Sequence, residues 1–119
     1  MSIMYHRFNE NKYPSTNIKI DVFKEHLQII KDSSYNFLNP RDLVNNLMIP
    51  KKNKEILVTI DDGFKSFYEE AWPILKKEKI PFILFISTEP VGKNGYMNWS
   101  QIKEIEKSDF AIIGHHSHT

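Results

Sequence analysis

Two adjacent carboxylates, Asp61 and Asp62, stand at the end of an apolar run from Ile56 to Ile60, and Gly63 and Phe64 follow them. Side chains alternate along an extended chain, so neighbours diverge until the backbone turns. A glycine directly after the pair permits that turn, and both carboxylates can then reach one cleft. Like charges at such close quarters are costly unless a cation lies between or beside them. A divalent metal removes the conflict, with one carboxylate as ligand and its neighbour as base. The plainer reading is a turn, since Asp-Gly is a common turn pair and Asp62 can cap a following helix. This stretch alone leaves both readings open.

The second cluster is imidazole. The chain holds five histidines, and three of them, His115, His116 and His118, fall in its last five residues. A carboxylate with two histidines is a minimal open metal site. A histidine-rich tail is the alternative, but "FAIIGHHSHT" leads out of an apolar strand, which favours metal binding. The same ligand set also describes non-haem iron. His6 closes the first strand and either lines the cleft or is a buried structural histidine. His26 sits in an amphipathic helix and is expected on the surface. Tyr96 and Trp99 offer rings on which a ligand can stack, although Trp99, in a first helical turn, is more simply a packing residue. Phe64 and Phe67 are expected in the core.

The elements that must position these groups alternate. "SIMYHRF" reads as a strand and residues 9–20 as a loop around Pro14. "DVFKEHLQIIKDSS" carries Phe23, Leu27 and Ile30 at helical spacing, with Asp21 as the expected N-cap. "YNFL" is a short strand, and Asn39-Pro40 opens a second helix. "PKKNK" is a turn, and "EILVTI" is a β-branched strand. "SFYEEAWPILKKEK" is a helix that must bend at Pro73. "IPFILFIS" is the most apolar strand, and Gly92 and Gly95 mark a loop. Asn98 and Gln101 form a capping box ahead of "WSQIKEIEKS". "FAIIG" is the last strand. Nearly continuous apolar strands separated by helices predict an α/β fold with a parallel sheet, whose ligands gather at the carboxyl ends of strands. Tyr5-His6, Asp61-Asp62 and the closing histidines all fall there.

Composition narrows the classes. The chain's 119 residues suit one domain, and 40% hydrophobic with 26% charged residues is ordinary globular usage. Sixteen basic and 15 acidic residues give a net charge of +1, which offers no electrostatic case for nucleic acid. The absence of cysteine excludes disulfides and thiolate metal sites. "IPFILFI" is too short to span a bilayer, and the N-terminus lacks the basic and apolar regions of a secretory signal.

"VTIDDGF" resembles the first motif of the polysaccharide deacetylases, the chitin-deacetylase-like carbohydrate esterases of family four, usually T-F-D-D-G, with Ile60 in place of phenylalanine. "IIGHHSHT" resembles the lead-in to that family's second motif, His-Ser/Thr-x-x-His, matched by His116, Ser117, His118 and Thr119 up to its last residue. "MYHRF" and "MNWSQIKEI" are similar to the family as well. The resemblance implies part of a distorted (β/α) barrel, with residues 1–119 an N-terminal portion of the catalytic domain that ends within the second motif. It implies Asp61 as general base, and Asp62 and His116 as ligands of zinc or another divalent metal. His6, His115 and Ser117 are expected to line the cleft. The implied reaction removes N-acetyl groups from a polysaccharide or oligosaccharide, and these 119 residues alone are expected to be inactive. The rivals are a phosphatase-like or oxygenase α/β enzyme using the Asp pair with metal, and a catalytically degenerate member that only binds glycan.

Overall fold

A computed structural model describes residues 2–11, 13–41 and 55–117, with the backbone alone for 116 and 117. The strands β1 (Ser2–Tyr5), β5 (Glu55–Asp61), β6 (Phe82–Ser87) and β7 (Ala111–Ser117) lie side by side in that order. Every pairing among them is parallel. The short strand β4 (Asn36–Phe37) adds to the start of β5, also in parallel. The connections carry helix α1 (Ile20–Asp32), helix α2 (Trp72–Glu78) and helix α3 (Trp99–Glu106). This is the α/β arrangement with a parallel sheet that the alternating pattern predicts.

The sheet exists because β5 and β6 are apolar almost throughout. Val58, Ile60, Phe82, Leu84 and Ile86 are buried between the sheet and its helices. α1 turns Phe23, Leu27 and Ile30 inward, and α3 turns Ile102 and Ile105. An aromatic row then ties the chain's beginning to its middle. Phe23 meets Tyr5 and Phe8 edge-on, Phe8 meets Phe67, and Phe67 meets Phe82, with ring centroids 4.9 to 5.8 Å apart. Such edge-to-face pairs each add about 0.5–1.5 kcal/mol beyond their buried area. Arg41 closes the far end: its guanidinium donates to the carbonyls of Glu106, Ser108 and Ala111 at 3.0 to 3.1 Å and so fixes the entry to β7.

Several local expectations need correction. α1 begins two residues earlier than expected, so Lys19 is at the cap and Asp21 lies inside the first turn, where its charge suits the helix dipole. The loop of residues 9–20 contains a strand, β3 (Asn17–Ile18), which pairs in parallel with β2 (Arg7–Phe8). The bend required by Pro73 takes the form of a wide π turn over Phe67–Ala71, just upstream of α2. Proline offers no N–H for the bond back to residue 69, and the widened turn absorbs that defect. β7 runs three residues past "FAIIG". The capping box at Asn98 and Gln101 is present in both directions at 2.9 Å. Pro40 and Arg41 begin a helical turn; the rest of the second helix and the turn at 50–54 lie outside the described residues.

Candidate active site

Parallel pairing brings the carboxyl ends of β1, β5, β6 and β7 to one edge of the sheet. Tyr5, the last residue of β1, is in register with Ile60, so His6 emerges beside Asp61. His6 Nε2 lies 3.7 Å from Asp61 Oδ2, longer than a hydrogen bond and an ion pair only when His6 carries a proton. Asp61 is the last residue of β5 and is 6% exposed, whereas Asp62 is half-buried.

The chain turns directly after Asp61, the last residue of β5. Asp62 and Gly63 both have positive φ, 75° and 70°. A side chain in that region costs about 1–2 kcal/mol except at glycine, and Asp is among the residues that accept it best. The turn is held from outside. Met97 N–H donates to Gly63 O at 3.0 Å, Lys65 N–H donates to Gly95 O at 2.9 Å, and Phe64 bridges to Tyr96. Helical backbone begins at Lys65, so Phe64 and not Asp62 occupies the cap position, which weakens the capping alternative.

β7 brings His115 and the backbone of His116 to the same edge. His115 is in register with Ile86 and is exposed. The next partners are Ser87 and Ser117, so the register slips at His116. Irregularities of this kind gather beside functional sites, where they re-aim a strand. Gly114 permits the approach of β7 to β6: a Cβ there would meet two ring carbons of Phe85 at 2.9 Å. His118 and the side chains of His116 and Ser117 lie outside the described residues.

Among the described residues, no three His, Asp or Glu side chains gather closely enough to hold a metal. Asp61, Asp62 and His6 nonetheless place two carboxylates and an imidazole at one strand edge, and these are the donor types that divalent first-row metals take. In kind, the residues fit such an ion.

Four residues that carry no signal of their own in the sequence surround this turn. The Arg7 guanidinium lies between the rings of Tyr13 and Phe64, 4.0 and 3.8 Å from their centroids. Its Nη1 donates to Glu10 Oε1 at 3.1 Å. Glu10 Oε2 accepts from Ser66 Oγ at 2.7 Å, and Ser66 Oγ in turn accepts from Phe8 N–H at 3.0 Å. Only the position of Arg7 directly after His6 offered a hint, since spacing says nothing about a contact made across a loop. Beyond Phe64, a shallow polar pocket of about 210 Å³ is walled by Lys65, Lys93, Asn94, Tyr96, Asn98 and Gln101. Trp99 is 47% exposed and is not the packing residue its helical position suggested. His26 is half-buried and bonded to Tyr5 Oη at 2.9 Å rather than free on the surface. Phe64 and Phe67 are buried as expected.

Comparison with known proteins gives one consistent picture. The family model for polysaccharide deacetylase matches residues 49–119. YxkH of Bacillus subtilis is 28% identical over 115 residues, which make up 95% of this chain and 40% of YxkH. The poly-beta-1,6-N-acetyl-D-glucosamine N-deacetylase of Staphylococcus aureus is 31% identical over 96 residues, 77% of this chain and 32% of that protein. The structure of IcaB from Ammonifex degensii superposes with a TM-score of 0.86 at 32% identity, covering 97% of this chain and 51% of IcaB. The chain thus spans between about a third and a half of these relatives' lengths.

Proposed function

The chain belongs to the polysaccharide deacetylase family, and from that premise we propose that the protein is a metal-dependent amide hydrolase that removes N-acetyl groups from a glycan. The observation that carries this reading is the buried Asp61 at the carboxyl end of β5, 3.7 Å from His6 and adjacent to Asp62 on a braced turn. In this reading Asp61 accepts the proton of the water that attacks the acetyl carbonyl. His6 orients the Asp61 carboxylate from the neighbouring strand. Asp62, on the positive-φ turn, and His116, at the register slip of β7, would hold a divalent metal, with zinc the first choice. When bound, that ion supplies Lewis-acid polarisation of the acetyl group and lowers the pKa of water. The C–N bond breaks as a proton is delivered to the departing nitrogen, and the products are acetate and a free amine on the sugar.

The polymer named for the Staphylococcus aureus relative is the first substrate to offer. Acetate and new amines are measured after the full-length protein meets β-1,6-linked N-acetylglucosamine oligomers, first with zinc and then with a chelator. Metal content is determined in parallel by mass spectrometry. Acetate release that disappears with the chelator and returns with zinc is the expected result. Glycan binding with no acetate from the zinc-loaded protein would replace this reading with a catalytically silent glycan binder.

A further inference from the structure

Tyr13 combines features that are individually expensive. It is 55% exposed, its backbone has φ 60°, and one face of its ring lies against Arg7. A bulky residue in the left-handed region is an outlier, and such outliers cluster where a ligand is held. The ring is also locked in place. Tyr13 O accepts from Thr16 N–H at 3.1 Å, and Arg7, bonded to Glu10, holds the ring from behind. The inner face of the same guanidinium rests on Phe64, two residues after Asp62. Phe64, Arg7 and Tyr13 therefore form a continuous stack from the carboxylate turn outward to solvent. Among the described residues, the buried Arg7 Nε has no hydrogen-bond partner. The guanidinium is thus held by its two rings together with its bond to Glu10.

We propose that Tyr13 is a stacking platform for a pyranose ring of the glycan, one that lies beside the N-acetyl sugar undergoing reaction, with Arg7 bracing the platform against the catalytic turn. A rigid, amphipathic aromatic ring gives contact area at little entropic cost, and the apolar face of a sugar ring matches it. The inference rests on the glycan reading of the site but extends it to a subsite, and binding can be measured without turnover.

The test is the affinity of the full-length protein for a β-1,6-linked N-acetylglucosamine pentamer, measured by calorimetry on wild type, Tyr13→Gly, Tyr13→Trp and Arg7→Met. Tyr13→Gly is expected to bind about tenfold more weakly, the size of a single aromatic contact. Its Tm should stay unchanged or rise, because glycine adopts positive φ without strain. Tyr13→Trp should retain affinity, and Arg7→Met should weaken it in the same direction as Tyr13→Gly. Wild-type affinity in Tyr13→Gly, or a loss of Tm without a loss of affinity, overturns the platform. A wild type that fails to bind the pentamer overturns it as well. A wild type that binds the pentamer through Tyr13 but releases no acetate leaves the platform standing and removes the deacetylase reading alone.

Discussion

His6 Nε2 and Asp61 Oδ2 stand 3.7 Å apart across two parallel strands whose ends are in register. The relationship follows from pairing alone, since Tyr5 opposite Ile60 sets the next residue on each strand side by side. It also gives a side chain of the first strand a place in the site.

If His6 orients the carboxylate, His6→Asn should lower kcat for acetate release by about 10- to 100-fold, the usual effect of removing a group that orients a site ligand or carboxylate. KM and Tm should hardly move, because the His6 side chain is 27% exposed and outside the core. Steady-state kinetics with thermal melts decide the matter. A parallel fall in Tm and kcat would make His6 part of the scaffold.

Asp61 and Asp62 should divide their labour. Asp61→Asn is expected to reduce turnover by about 10²–10⁴-fold, the range for general acid–base groups, while metal remains bound. Asp62→Asn should lose metal first and activity as a consequence. Mass spectrometry of metal content beside acetate release separates the two. Equal metal loss in both variants would show that both carboxylates serve as ligands.

The carboxylate pair, the alternation of β5, β6 and β7 with α2 and α3 and the capping box at Asn98 were all legible in the sequence, because each rests on contacts between near neighbours or on strict periodicity. The Arg7 stack was not. It joins residues 7, 13 and 64 through contacts that no repeat encodes. The strand β3 was hidden for a similar reason: two residues are too few to show alternation. Trp99 misled because a helical first turn says nothing about which neighbour covers it, and here the ring stays 47% exposed. The wide turn before Pro73 was legible as a defect but not as a form, since the sequence fixes the missing N–H and leaves open how the chain absorbs it.

Gly114 carries a stability prediction. An added Cβ would stand 2.9 Å from two ring carbons of Phe85 on the paired strand. Real Cβ atoms do not approach so closely, so the ring or the strand must move. Gly114→Ala is expected to cost about 1–3 kcal/mol, the range for overpacking. Phe85→Leu, which removes the ring, should recover part of that loss in the double variant. Urea unfolding of the four proteins forms a cycle, and strict additivity would mean that the two positions do not collide.

Tyr5 predicts how the fold responds to alkali. Its ring is 6% exposed and packs edge-on against Phe23 at 5.0 Å, and its hydroxyl is bonded to His26 Nδ1 at 2.9 Å. Burial penalises the phenolate and pushes the Tyr5 pKa up to about 12, against 10 for the ordinary side chain. The folded chain therefore holds this proton more tightly than the unfolded chain does. Stability from this difference is fully present below about pH 10, where both states are protonated, and drains away as pH rises from about 10 towards 12. Tyr5→Phe cannot lose that proton. At pH 8 it should be less stable than wild type by about 1 kcal/mol for the lost hydrogen bond. As pH rises above 10 the gap should close and then reverse, because only wild type is penalised by ionisation. Other alkaline effects act on both proteins and cancel in the difference. Urea melts at intervals between pH 8 and 11.5 measure it, and two curves that stay parallel through the whole range would mean that the Tyr5 hydroxyl ionises as readily in the fold as in water.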